Sequence, residues 1–283
     1  MPEIYCRLSV MSPPDPVSSL PEEKDKWTSG DAYEIWMARW SRLLAPQFLD
    51  WLAIPPGARW LDLCCGTGIL SQAIAERFSP ARVLGLDRAA SQIDFARRHR
   101  AVPGIEFEVA EAVALPVEDA SFDVCVCGLG LNFISDPAKA LAELRRVTRP
   151  GGTVAAYVWE YSGQARFLRE FWDAAIAVDP GAVEFDQGRR FPICTLDGLR
   201  AAFNEAGFCD ISQRPLEIVT RFENFDDYWQ PFLLGQGSAP VYLASLAENI
   251  RGVIRDRLRA ALPVNPDGSI ALSARALAIR TSR

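Results

Sequence analysis

The stretch RWLDLCCGTGIL, residues 59–70, gathers a carboxylate, two thiols and two glycines into a few positions. Asp62, Cys64 and Cys65 invite metal or redox chemistry. Gly66-Thr67-Gly68, set between an apolar run and a helical one, invites a nucleotide. The cysteines do not sustain the first reading. The other five, Cys6, Cys125, Cys127, Cys194 and Cys209, are scattered, and none forms a C-x-x-C pair. With one histidine in the chain, a zinc site of Cys and His is not expected, and no metal is assigned. Cys125 and Cys127 alternate inside an apolar run and read as core side chains of one strand.

A glycine turn after a strand lets backbone approach a ligand closely, and the helix that follows offers free N–H groups. Asp87 ends the next strand-like run, RVLGLD, where a carboxylate can accept both hydroxyls of a ribose. Dinucleotide enzymes and methyltransferases share that device but differ in the turn. The dinucleotide pattern is G-x-G-x-x-G. Counted from Gly66, its third glycine is Ser71; counted from Cys64, its first is missing. The sequence has D-x-x-x-G-x-G instead, led by Asp62.

The surrounding pattern must position these residues. Strand signals at 59–64, 82–87, 105–112, 122–129 and 152–160 alternate with helical runs such as SQIDFARRHR and DPAKALAELRRVT. Repeated βα units predict a parallel sheet with helices on both sides. Ahead of them, residues 27–52 are helical, with Trp36, Trp40, Leu43 and Leu44 spaced as one apolar face. After them, TLDGLRAAFNEAGF predicts a helix capped by Thr195 and stopped by Gly207. Two strand-like stretches, 209–220 and 268–280, flank a mostly helical insertion at 221–265.

Composition narrows the partners. At 283 residues, 49% hydrophobic and 23% charged, the chain can bury a large α/β core. Net charge is −6 and the largest basic cluster is ARRHR, which argues against nucleic acid as a partner. No apolar run approaches a membrane span. The Pro- and Ser-rich residues 1–26 lack the pattern of a signal peptide and predict a loose arm. A cytoplasmic protein is expected; oligomeric state stays open.

The run WLDLCCGTG…VLGLD…VAEAVALPVEDASFDVCVCGLGLNFISDPAKALAELRRVTRPGGTVAAYVW resembles the class I S-adenosylmethionine-dependent methyltransferases, above all the group that includes the ubiquinone and menaquinone C-methyltransferases. Four features agree in order and spacing: the glycine turn, the strand-end acid, ALPVEDASFD and RVTRPGG. The resemblance implies an α/β fold, Rossmann-like and doubly wound, with a mostly parallel seven-stranded sheet and a helical cap. It divides residues 27–283 into an N-terminal helical lid (27–52), a cofactor-binding core (57–160), and substrate-covering insertions at 161–194 and 221–265. Cys64 departs from the family, standing where its turn has a first glycine. A nicotinamide- or flavin-dependent oxidoreductase is the alternative.

Roles carry over onto matching positions. Asp62, Cys64, Gly66 and Gly68 would border the amino-acid end of S-adenosylmethionine, or of the product S-adenosylhomocysteine. Asp87 would hold the ribose, Arg88 lie along the adenine, and Glu111 and Ala112 meet its edge. Gly128 and Leu129 would approach the methyl. DAYEIWMARWSR is similar to the segment ahead of the turn in several small-molecule methyltransferases, glycine N-methyltransferase among them, which offers Tyr33 and Arg39 as cofactor contacts. Methyl transfer from a sulfonium is an in-line displacement that asks for alignment and exclusion of water more than a fixed triad. Glu160 and Asn132 are the candidate catalytic residues, with Tyr157, Trp159 and Tyr161 shaping the pocket. His99 sits at a basic helix end, away from this chemistry. Phe167, Phe171, Trp172, Phe185, Phe191, Phe225, Tyr228, Trp229 and Phe232 would suit an apolar or aromatic small-molecule acceptor.

Overall fold

Each of the apolar runs becomes a strand. In the computed structural model, which describes residues 24, 25, 27 and 29–283, β1 (Arg59–Leu63), β2 (Arg82–Asp87), β3 (Ile105–Val109), β4 (Phe122–Gly128) and β5 (Thr148–Trp159) run parallel. With β6 (Cys209–Phe222) and β7 (Ile270–Ser282) they form one seven-stranded sheet in the order β3-β2-β1-β4-β5-β7-β6. β7 lies antiparallel between β5 and β6. β5 begins at Thr148 rather than at residue 152, because Thr148 already pairs with Phe122 before an irregularity hands the register to Val124 and Thr153. The arm expected over residues 1–26 lies outside the described residues, except for Lys24 and Asp25.

α1 (Gly30–Tyr33) and α2 (Arg39–Leu52) make one rod, joined by a π-helical turn at Glu34–Ala38. Ser29 caps it, its Oγ accepting the Ala32 N–H. Trp36, Trp40 and Leu44 are buried as the spacing predicts, but Leu43 is 45% exposed. The buried stripe continues through Ala45, Phe48, Leu49 and Leu52, and Leu43 stands about 100° around the helix from Leu44. α3 (Ile69–Phe78), α4 (Ala90–His99) and α5 (Pro137–Val147) lie among the parallel strands. α6 (Arg166–Val178), α7 (Gln187–Arg190) and α8 (Leu196–Glu205) follow β5. Thr195 caps α8 through the Gly198 N–H, and Gly207 takes a left-handed φ of +81° after it. The insertion between β6 and β7 carries α9 (Phe225–Trp229), α10 (Ser238–Ser245) and α11 (Glu248–Ala261).

The aromatic residues expected to cover an acceptor are core instead. Phe167, Phe171, Trp172, Phe185, Tyr228 and Phe232 are at most 1% exposed, and the rings of Phe171 and Phe232 stack at 4.5 Å. Phe225 and Trp229 are buried with them, and half-buried Phe191 packs edge-on against Phe133. Each such ring removes on the order of 150–250 Å² from water, so these rings fasten the cap to the sheet.

β2 and β3 lie to one side of β1, and β4 to the other. Strand order therefore reverses between β1 and β4, and the crevice beyond their carboxyl ends is where such sheets bind ligands.

Candidate active site

The turn after β1 is shaped by two glycines with different tasks. Gly66 has φ +53°, and a Cβ built on it would meet nothing within 4 Å, so its backbone is open to the crevice. Gly68 has φ +83°, and a Cβ there would strike the Phe107 ring at 2.7 Å. Gly68 thus serves the packing of the turn on β3. Across from the turn, Asp87 accepts the Gly66 N–H at Oδ2 and the Ala89 N–H at Oδ1, both at 2.9 Å. A carboxylate offers about four lone-pair directions, so each oxygen keeps capacity for a ligand hydroxyl. Burial raises the Asp87 pKa, against the pull of those two N–H groups.

A cavity of about 330 Å³ opens here. Nine of the residues singled out from sequence as cofactor contacts line it: Tyr33, Cys64, Gly66, Asp87, Arg88, Glu111, Ala112, Gly128 and Leu129. Burial pushes the Tyr33 phenol up to about 12, and its hydroxyl lies 3.3 Å from Ser41 Oγ. The neighbouring Cys127 sulfur and burial hold the Cys64 thiol well above its ordinary pKa, which leaves it a wall and not a nucleophile. Gly128 makes room for Tyr157, whose hydroxyl a Cβ would approach to 2.8 Å.

Other residues weighed from sequence do not line the cavity. Arg39 does not reach the cavity. It pairs in bidentate fashion with Asp227 at 2.9 and 3.1 Å, donates to the Arg221 carbonyl, and lies over the Trp40 ring. Asp62 is buried beneath the turn, 1% exposed, with Oδ2 accepting from Ser71 Oγ at 2.6 Å and Oδ1 unpartnered. Burial pushes its pKa up to about 7. Gly68 faces Phe107, as described. Glu160 turns toward Arg275, 3.5 Å away, and does not line the cavity. Asn132 is buried just behind the lining residues Gly130 and Phe133. His99 packs against Phe95 with its ring tilted, centroids 4.3 Å apart.

The inner wall joins Trp159 and Tyr161, which sequence singled out, to Trp27, Phe133 and Asp25, which it did not. Trp27 packs edge-on against both Tyr33 and Phe133, and Trp159 and Tyr161 complete an aromatic lining. Asp25 joins them, held by Arg190 at 3.2 Å and by the Ser238 hydroxyl. Arg190 lies 165 positions along the chain, and no local pattern announces such a contact.

The residues fit an adenosyl cofactor. One end offers a strand-end carboxylate with spare acceptor capacity, an open glycine backbone, and the Glu111-Ala112 edge. The other end is apolar and aromatic, large enough together with the first for a ligand and part of an acceptor.

Comparison with known proteins agrees. A family described as a methyltransferase domain matches residues 61–156. The 2-phytyl-1,4-naphtoquinone methyltransferase of Thermosynechococcus vestitus is 36% identical over 182 residues, 59% of this chain and 80% of that one. The demethylmenaquinone methyltransferase of Renibacterium salmoninarum is 40% identical over 114 residues, covering 40% of this chain and 45% of the relative. Among solved structures, phosphoethanolamine N-methyltransferase 2 of Haemonchus contortus, in complex with phosphomonomethylethanolamine and S-adenosylhomocysteine, superposes with a TM-score of 0.57 at 17% identity. That match covers 90% of this chain and 57% of that one, and it speaks to the fold alone. The oxidoreductase alternative finds no support in these matches. No helix among the described residues is long and apolar enough to cross a membrane.

Proposed function

The chain belongs to the S-adenosylmethionine-dependent methyltransferases, in the group of the naphthoquinone and menaquinone enzymes, and from that premise we propose that its acceptor is a neutral aromatic ring of the phenol or hydroquinone type. The observation that carries this is the inner lobe. Trp27, Phe133, Trp159 and Tyr161 wall it, and its carboxylate, Asp25, is already paired with Arg190. A cationic amine would find aromatic faces there but no free counter-charge.

Bound S-adenosylmethionine supplies an electrophilic methyl on its sulfonium sulfur. The chain supplies position. We assign Asp87 to the ribose hydroxyls, Arg88, Glu111 and Ala112 to the adenine, and Gly66, Gly128 and Leu129 to the methionine portion. The aromatic walls hold the acceptor ring in line and keep water out. Glu160 is engaged with Arg275 outside the cavity, and burial raises the Tyr33 phenol to about 12 and keeps it protonated, so neither is set to act as the base. The acceptor proton leaves to solvent. Segment 27–52 with Asp25 acts as the lid, which residues of the 161–194 and 221–265 segments, Arg190 and Ser238, pin in place. The free thiols at Cys64, Cys65, Cys125, Cys127, Cys194 and Cys209 support a reducing, cytoplasmic setting.

Methyl incorporation from labelled S-adenosylmethionine into reduced naphthoquinones, set beside a panel of amines, tests the assignment. Labelled naphthoquinols with unlabelled amines are expected. Labelled amines with unlabelled naphthoquinols would overturn it.

A further inference from the structure

Asn132 is 5% exposed, and both of its amide atoms lack a hydrogen-bond partner among the described residues. A buried amide in that condition bears the full desolvation of its donor and acceptor and calls for a reason. It sits on the short turn Leu131–Phe133, directly after β4, and its neighbours Gly130 and Phe133 both line the cavity. Near it is Tyr161, also 5% exposed, which lines the cavity. The Asn132 amide is close enough to favour the charged form of the Tyr161 hydroxyl, but the two do not meet in hydrogen-bonding geometry. Burial outweighs it and holds that phenol well above its ordinary pKa, so Tyr161 stays protonated and remains a donor.

We propose that Tyr161 recognises the acceptor through its hydroxyl, which donates to the oxygen of an aromatic hydroxyl group, and that Asn132 is the positioning residue that aims it. The proposal rests on the reading of an aromatic acceptor and goes further by naming the atom recognised. A protonated phenol in this wall has a hydrogen to give, and the nearest carboxylate of the wall, Asp25, is already held by Arg190 and Ser238. An ammonium group has no lone pair to offer in return, whereas a phenolic oxygen has, and it becomes a stronger acceptor as its proton leaves. A preset donor at that oxygen favours loss of its proton, the step in which charge develops there and the nucleophile forms, without itself moving a proton.

The test is equilibrium binding of 2-naphthol and of naphthalene, which lacks the oxygen, to the protein saturated with S-adenosylhomocysteine. The wild type is expected to bind the naphthol at least about tenfold tighter than naphthalene, and Tyr161→Phe to bring that ratio within about twofold. Asn132→Leu should reduce the ratio in the same direction. A merely structural role for Asn132 would change both affinities together and leave the ratio alone. S-adenosylhomocysteine affinity, measured in each variant, should stay at the wild-type value. Equal binding of the two probes by the wild type, or an unchanged ratio in Tyr161→Phe, overturns the assignment while the aromatic-acceptor reading stands. If neither probe binds the S-adenosylhomocysteine complex, both readings fall.

Discussion

Asp62→Asn should stabilise the ligand-free protein, and only above a particular pH. The side chain is 1% exposed, its Oδ2 is bonded to Ser71, and its Oδ1 has no partner. Burial, aided by the nearby Asp87 charge, moves its pKa from 3.8 to about 7, with Ser71 opposing. A raised folded-state pKa means that the folded chain holds a proton the unfolded chain has already lost. Stability is therefore intact below about pH 4 and falls as pH rises toward about 7, where the loss levels off. Roughly three pKa units at about 1.4 kcal/mol each set the loss at no more than about 4 kcal/mol. Asparagine keeps the shape and the acceptor for Ser71 and never ionises. Urea midpoints for the two proteins should converge near pH 4 and separate progressively up to about pH 8, with the asparagine protein the more stable. S-adenosylhomocysteine carries a cationic amino group. If bound beside Asp62, it should favour the ionised carboxylate and reduce the difference. Stability curves that run parallel across the whole range would refute the placement of a costly buried charge at this position.

Asp87→Asn replaces a charged acceptor of two ribose hydroxyls by a neutral one, and calorimetric S-adenosylhomocysteine affinity should fall by about 10²-fold or more; wild-type affinity in the folded variant would show the ribose assignment to be wrong. Arg39→Ala breaks the bidentate pair with Asp227 and the stacking on Trp40, so thermal denaturation should show a loss of about 1–2 kcal/mol with cofactor affinity unchanged. A weakened cofactor site in that variant would return Arg39 to the binding machinery. Glu160→Gln should leave the turnover rate within about threefold of wild type, because a loss of about 10²-fold is what removal of a general base produces.

How much of this was legible depended on whether a contact is local in the chain. The turn after β1, the acid ending β2 and the Glu111-Ala112 edge each follow a strand directly, and the sheet brings them together because consecutive βα units wind one way. Periodicity likewise found the strands to within a few residues. Arg39 shows where it fails. Its place ahead of the turn suggested a ligand, but Asp227 and the Arg221 carbonyl, both supplied by a distant part of the chain, take up its guanidinium. The cap aromatics failed for the opposite reason, since helical spacing serves a core as well as a pocket, and here the core took them. Trp27 and Asp25 are held in the site largely through Phe133, Arg190 and Ser238, none of which is near in sequence.

Cys64 shows how a departure inside a motif is absorbed. Its φ is +56°, a conformation that glycine adopts freely and that costs a residue with a Cβ about 1–2 kcal/mol. That strain persists only if the neighbours define the side chain's place. They do: a Cβ built at Gly130 would fall 2.3 Å from the Cys64 Cβ, so the cysteine fits because position 130 has none. The glycine missing from the turn after β1 is thus matched by one after β4, across the switch point. The two loops that border the cavity are thereby fitted to each other, and the same contact that excuses Cys64 fixes the approach of the turn carrying Asn132 and Phe133. A larger residue at position 130 would displace that turn, and with it the inner wall, before it touched any ligand.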